Sequence, residues 1–347
     1  GSFRTDIRRD FTVKIDVEDL EPGRTYYYRF ESRGARSPVG RTKTLPQGRI
    51  DAARIAFASC SNFPYGYFNA YARIAERADL DLVLHLGDYI YEYERANDYR
   101  NPRILGQRDS IPENEIVTLT DYRQRHAQYK GDPDLQEAHR QHPFVCVWDD
   151  HESANDAWRD GAENHDPDAG EGEWNVRKRA AIRAYNEWMP IRSQGLADAV
   201  IYRSFRYGNL ADLIMLDTRL YGRDLQAAFK GQATEIAAND PTINDPNRTL
   251  LGFDQEAWLY GRLSASQQRG ATWRLVGQQV MMGQLSQTFG ASYLNPDQWD
   301  GYLPSRARLY AHLRDNNIDN LVVMTGDIHS SWGHDLVDNP WARGSYD

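Results

Sequence analysis

The spacing of hydrophobic positions changes character near residue 50. Before it, Phe11-Thr12-Val13-Lys14-Ile15-Asp16-Val17 alternates apolar with polar, and Thr25 to Phe30 is rich in tyrosine, both of which predict strands. Leu20-Glu21-Pro22-Gly23 reads as the turn between them. From Arg54 onward, short apolar runs alternate with amphipathic segments, the pattern of an α/β layer architecture. It predicts strands at 54–58, 80–86, 143–148, 200–207, 210–216, 272–281 and 319–325, and helices at 67–78, 120–130, 174–188, 254–268 and 305–315. In the 174–188 helix Trp174, Ala181, Ile182, Tyr185 and Trp188 gather near one face, a packing surface, and Pro190 ends it. The polar stretches 92–119, 155–173 and 222–250 lack periodicity and predict long loops that border a site.

Composition narrows the class. The 347 residues exceed the usual single-domain size, and 40% hydrophobic with 26% charged residues is the balance of a globular protein with a sizeable core. No stretch approaches the roughly 18 apolar residues of a membrane span, and no apolar leader opens the chain. The net charge of -9 is interspersed along the sequence, so no basic face for nucleic acid is expected; an acidic protein that handles phosphate would need bound cations. Cys60 and Cys146 imply no disulfide framework, and Cys146, inside the run Phe144 to Trp148, reads as a buried small hydrophobe. The order Leu-x-Pro-Gly-x-x-Tyr from Leu20 to Tyr26 resembles the corner of a fibronectin-like or immunoglobulin-like sandwich, in which a tyrosine hydroxyl bonds back to the corner backbone. Only part of such a sandwich fits before Pro46, which predicts a partial N-terminal β-sandwich at 1–46 and a second unit at 50–347.

Chemistry concentrates where apolar runs stop. Cys60 follows Ile55 to Ala58; Asp88 and Tyr91 follow Leu82 to Leu86; Asp150 and His151 follow Phe144 to Trp148; Asp327 and His329 follow Leu321 to Thr325. Ligands gather outside the carboxyl ends of strands in open α/β sheets, so these distant positions can converge. Carboxylates suit hard cations, whereas thiolate, phenolate and imidazole suit a transition metal, so the set suggests two unlike metals.

The blocks Ala58-Ser59-Cys60-Ser61, Gly87-Asp88-Tyr89-Ile90-Tyr91, Trp148-Asp149-Asp150-His151-Glu152, Leu216-Asp217-Thr218-Arg219 and Gly326-Asp327-Ile328-His329 together resemble the alkaline phosphatase D (PhoD-like) family of metallophosphatases, over residues 11–335. The resemblance implies a four-layer α/β-β/α metallophosphatase sandwich, with the catalytic unit lacking its C-terminal end. It implies that Asp88 bridges two metals, that Cys60, Tyr91 and His329 hold Fe3+, and that Asp150 and Asp327 hold one or two Ca2+. The expected reaction is hydrolysis of phosphate mono- or diesters by metal-activated hydroxide. His151 would face the leaving oxygen, and Arg219 would bind phosphate through its fork or else pair with Asp217 beneath the site. Gln278 and Gln279 stand where metallophosphatases often place a further histidine ligand, leaving a glutamine carbonyl as an alternative donor to calcium. The alternatives are Zn2+ or Mn2+ on the same scaffold, in a phosphodiesterase or phospholipase, and a catalytically silent metal-binding protein. Calcium and ferric iron together favour a secreted or periplasmic location, as does the family's usual export. Of the remaining histidines, His85 reads as a core residue, and His126, His139, His142, His165, His312 and His334 as surface or loop residues.

Overall fold

Tyrosine-rich Thr25–Tyr28 (β1) pairs antiparallel with Gly40–Lys43 (β4), and the short Glu31–Ser32 (β2) and Ala35–Arg36 (β3) close a ribbon between them. The expected corner is present, with the Glu21 amide donating to Tyr26 Oη at 2.8 Å. The expected strand at Phe11–Val17 does not form. This segment has no sheet partner among the described residues, and Phe11, Ile15 and Val17 lie exposed. The computed structural model describes residues 1–338 apart from Asp98, Gln194, 196–198, 228–234 and 287–289, so part of the third long loop lies outside the described residues.

Beyond Pro46 the apolar runs become two sheets. Ile55–Ala58 (β5), Leu82–His85 (β6) and Phe144–Cys146 (β7) run parallel, with Phe57 opposite Leu84 and Leu84 opposite Val145. Asn69–Ala75 (α1) crosses over between the first two; Leu119–Lys130 (α2) and Pro133–Gln141 (α3) lie between the second two. Thr118 and Asp121 form a reciprocal capping box that starts α2. The sequence reading missed α3, although Asp132 as cap and Pro133 at the first helical position are its signal. Trp174–Trp188 (α4) packs against α2 and stops before Pro190, as expected.

The second sheet places Arg203–Tyr207 (β8) antiparallel to Ala211–Met215 (β9). Trp273–Gly277 (β11) and Leu321–Met324 (β13) then continue it parallel to β9. Between them run Glu235–Ala237 (β10), Phe253–Gln268 (α5), Ser292–Leu294 (β12) and Leu303–Asp315 (α6), with β10 pairing β12. Strand alternation sorts the side chains into layers. Ala211, Leu213, Met215, Leu275 and Met324 join the core shared with the first sheet. Ile214, Leu216, Val276 and Val323 instead meet Leu259, Leu263 and Leu309 of α5 and α6. The result is helix, sheet, sheet, helix. Val83 and Leu84 at its centre are fully buried, each worth roughly 1.5–3 kcal/mol of burial.

Candidate metal centre

Both sheets present their strand ends on one side, and the chain leaves β5, β6 and β13 in tight left-handed turns. Cys60 (φ 58°), Asp88 (φ 53°), Asp327 (φ 67°) and His329 (φ 53°) all occupy the left-handed region that non-glycine residues avoid. Gly87 makes the turn at Asp88 possible: at φ 113° it lies so close to Asp149 that a Cβ would sit 2.3 Å from the Asp149 Cβ. The buried Glu152 ties two of the loops together, accepting from the amides of Asp88 (3.0 Å), Tyr89 (2.7 Å) and Asp149 (2.8 Å). Helical and strand hydrogen bonding has ended at these positions, so one carboxylate satisfies three otherwise orphaned donors.

The turns bring every expected ligand together. Donor atoms of Cys60, Asp88 and His329 lie within 4.8 Å of one another, as do those of Asp88, Asp150 and His151, and those of Asp149, Asp150 and Asp327. Asp88 therefore belongs to a thiol-imidazole group and to a carboxylate group at once. Tyr91 joins the first group through its hydroxyl, 3.3 Å from Asp88 Oδ2 and 3.1 Å from His329 Nε2. The Cys60 sulfur accepts from the Asp327 amide at 3.2 Å.

Without cations this arrangement is electrostatically costly. Burial, then Asp149 and Asp150, push the Asp88 carboxyl well above the usual range, and burial also raises Asp149. Burial raises Asp327 to about 6 even though Arg219 opposes it, and burial with Asp297 raises Asp156 to about 8. Cys60 and Tyr91 are likewise held protonated by burial and by Asp88. Asp88 Oδ1, Asp149 Oδ2 and Asp150 Oδ1 are buried with no hydrogen-bond partner among the described residues. Unpartnered carboxylate oxygens beside a thiol, a phenol and an imidazole are the donors a cation would satisfy, so the residues present fit a metal pair.

Arg219 is the fixed cation of the site. Its Nε meets Asp149 Oδ1 at 2.5 Å, Nη1 meets Asp297 Oδ1 at 2.8 Å and Nη2 meets Asp327 Oδ1 at 2.6 Å, with Asp150 at 3.7 Å. Every nitrogen of the fork is engaged by a carboxylate and the side chain has no exposed surface, which corrects the expectation of a free phosphate-binding fork. The alternative pair with Asp217 is also absent, because Asp217 Oδ1 instead accepts the amides of Arg219 and Leu220 at 2.8 and 2.9 Å. Gln279 is occupied as well: it donates to Trp148 and Leu216 carbonyls and accepts from Thr218. Gln278 accepts from Trp299 Nε1 at 3.2 Å.

With this geometry in place, likeness to known proteins becomes informative. Residues 55–345 match the PhoD-like phosphatase family, and residues 1–46 match the PhoD-like phosphatase N-terminal domain. The chain belongs to the PhoD-like phosphatase family. It is 42% identical over 333 residues to alkaline phosphatase D of Bacillus subtilis (strain 168), covering 94% of this chain and 54% of that protein. A solved structure titled "Structure of PhoD" superposes with a TM-score of 0.82 at 38% identity, covering 94% of this chain and 61% of that one. The chain thus spans little more than half the length of these relatives.

Several residues of the candidate site in this PhoD-like chain escaped the sequence reading. Asp149 precedes Asp150 directly, and Glu92 follows Tyr91 directly, so position alone pointed to both. Asp297 and Asp156 sit in aperiodic segments and carry no local signal. Among the histidines, His85 is buried as expected, but so are His126 and His142; His142 Nε2 lies 2.9 Å from the Ile74 carbonyl oxygen and His139 stacks on Phe144 at 3.8 Å. The surface reading of His126 and His142 is corrected, and His139 is half-buried.

His151 Nδ1 lies 2.6 Å from Glu92 Oε2, and Glu92 Oε1 accepts from the Asn155 amide (2.7 Å) and Asn164 Nδ2 (2.9 Å). The ring packs 4.2 Å from Tyr91 and 5.2 Å from Tyr93. Burial opposes charge on the imidazole, but Glu92 and then Asp150 outweigh it and hold the group up to about 10. A folded value above the usual 6.5 means that this charge stabilises the fold fully below about pH 6.5, and that the gain disappears as pH climbs to about 10. In metal-free protein, histidine-selective NMR is expected to find His151 protonated until about pH 10 and Glu92→Gln to bring its titration below that of wild type. An unchanged titration in Glu92→Gln would remove Glu92 from this role.

Proposed function

We propose that the chain carries the active site of a metal-dependent phosphate-ester hydrolase, acting on mono- or diesters. The observation that carries the reading is the shared position of Asp88, with Oδ1 unpartnered, between a Cys60-Tyr91-His329 group and a carboxylate group. In this reading Cys60, Tyr91 and His329 would hold ferric iron, Asp150 and Asp327 would hold calcium, and Asp88 would serve both. Thiolate, phenolate and imidazole stabilise a ferric ion, and carboxylate oxygen suits calcium. Bound there, two cations would offset charge on the phosphoryl oxygens and acidify the attacking water.

The chain's own residues do the rest. Arg219 neutralises Asp149, Asp297 and Asp327, which keeps the carboxylate wall in place instead of gripping substrate. Glu92 orients His151 through Nδ1, which leaves Nε2 to hold a proton for the leaving oxygen. Tyr91 and Tyr93 fix the ring by packing on it. The family resemblance supports residues 1–46 as part of an N-terminal sandwich and 50–347 as the catalytic unit. It also supports a secreted or periplasmic setting, as does the choice of metals; no described helix is long and apolar enough to cross a membrane.

Protein purified without added metal tests the reading. Iron and calcium by elemental analysis, a visible tyrosinate-to-iron band lost in Tyr91→Phe, and turnover of 4-nitrophenyl phosphate or its bis ester are the expected results. Zinc or manganese without iron would transfer the reading to the alternative metal set. Absence of turnover with every metal would leave a binding protein.

A further inference from the structure

We propose that the leaving-group side of the site is an aromatic subsite, built by Tyr93, Tyr99 and Tyr65, that takes a planar aromatic group esterified to the phosphate. The inference rests on the hydrolase reading and adds a substrate class to it. The rings form a continuous path away from His151. Tyr93 stands edge-on to the His151 ring at 5.2 Å, Tyr99 lies 5.8 Å from Tyr93, and Tyr65 lies 5.8 Å from Tyr99. Tyr99 is also anchored to the metal group, its hydroxyl 2.7 Å from His329 Nδ1 and its ring 5.8 Å from Tyr91. The path therefore begins at the proposed donor to the leaving oxygen and ends at an exposed ring, since Tyr65 keeps 55% of its surface.

This wall is held before any ligand arrives. The Asn62 side chain donates to the Tyr99 carbonyl at 3.2 Å, and the Asn101 amide donates to the Pro64 carbonyl at 3.1 Å, stapling the loop after β5 to the loop after β6. The Tyr65 amide closes a turn onto the Asn62 carbonyl at 3.1 Å. Tyr93 and Tyr99 are half-buried and Tyr65 is exposed, so this wall keeps open ring surface. The other flank of the site is unlike it: Arg219, Asp297 and Gln298 are buried and hydrogen-bonded to one another or to Asp327. An organic group leaving past His151 thus meets π-faces held in place in advance, to which aryl rings and nucleobases alike can stack.

Calorimetry of the metal-loaded chain with benzylphosphonate and butylphosphonate tests the stack directly. Wild type is expected to bind the benzyl compound about tenfold more tightly, the scale of one stacked ring. Tyr65→Ala should erase that preference and Tyr65→Phe should retain it. Equal affinities in wild type, or a preference that survives Tyr65→Ala, would overturn the proposal. Turnover of bis(4-nitrophenyl) phosphate, a dinucleotide and a glycerol phosphodiester then separates the sources. A larger loss in Tyr65→Ala on both aromatic esters than on the glycerol ester points to any planar group, and a loss confined to the dinucleotide points to a nucleobase; equal losses on all three count against the subsite. Failure of the hydrolase reading looks different, as wild type would then turn over none of the three while phosphonate binding still reports on the stack.

Discussion

Asp88→Asn is expected to lower phosphate-ester hydrolysis roughly a thousandfold, the effect of losing about 4 kcal/mol of transition-state charge stabilisation. The substitution keeps the shape of the side chain, and asparagine tolerates the left-handed backbone that Asp88 adopts at φ 53°, so the fold should persist. The Asp88 amide still donates to Glu152. What changes is charge, and the change acts in opposite directions on two measurements. In chelated protein the variant should melt at a higher temperature than wild type, because burial, Asp149 and Asp150 all disfavour the carboxylate there. In metal-loaded protein the same variant should retain less metal by elemental analysis, because the oxygen that would join the two cations has lost its charge. A variant that keeps full metal content and full turnover would sink the bridging role of Asp88.

Arg219→Met should cost about 3–5 kcal/mol of stability in metal-free protein, the range for removing one partner from a buried ion pair. The guanidinium is fully buried and is the common counter-charge of Asp149, Asp297 and Asp327, so its loss leaves like charges facing one another. Arg223 and Gln226 still reach Asp297, which limits the damage on that flank. Denaturant unfolding with chelator measures the loss, and added calcium should recover part of it because a cation would again sit among the carboxylates. A deficit under about 1 kcal/mol, or one that calcium leaves untouched, would show that Arg219 does not balance the wall. The phosphate-fork expectation makes a different forecast, in which the variant would bind substrate weakly yet unfold normally.

Local chemistry was legible wherever its cause was local. The sequence determined the strands that end at Cys60, Asp88, Asp150 and Asp327, because short apolar runs bounded by polar residues have few other folds, and it determined the corner at Tyr26 and the stop of α4 before Pro190. Helix α3 was written in Asp132-Pro133 and could have been read. The strand expected at Phe11–Val17 did not form because alternation states only that a segment suits pairing, while an actual strand needs a neighbour to hydrogen-bond.

Only the tertiary structure decided which carboxylate answers which cation. Arg219 lies 70 residues from Asp149, 78 from Asp297 and 108 from Asp327, and no periodicity spans such separations. Its adjacent acid, Asp217, was the natural guess from sequence and was taken instead by two backbone amides. The same holds for Glu92 and His151, and for the tyrosine path from Tyr93 to Tyr65. Residue types and their order along the strands sufficed to name side chains that the fold gathers at one place, where they could hold a cation. Their pairing, and with it the charge each one carries, depends on distance through a folded interior, which the order of residues does not contain.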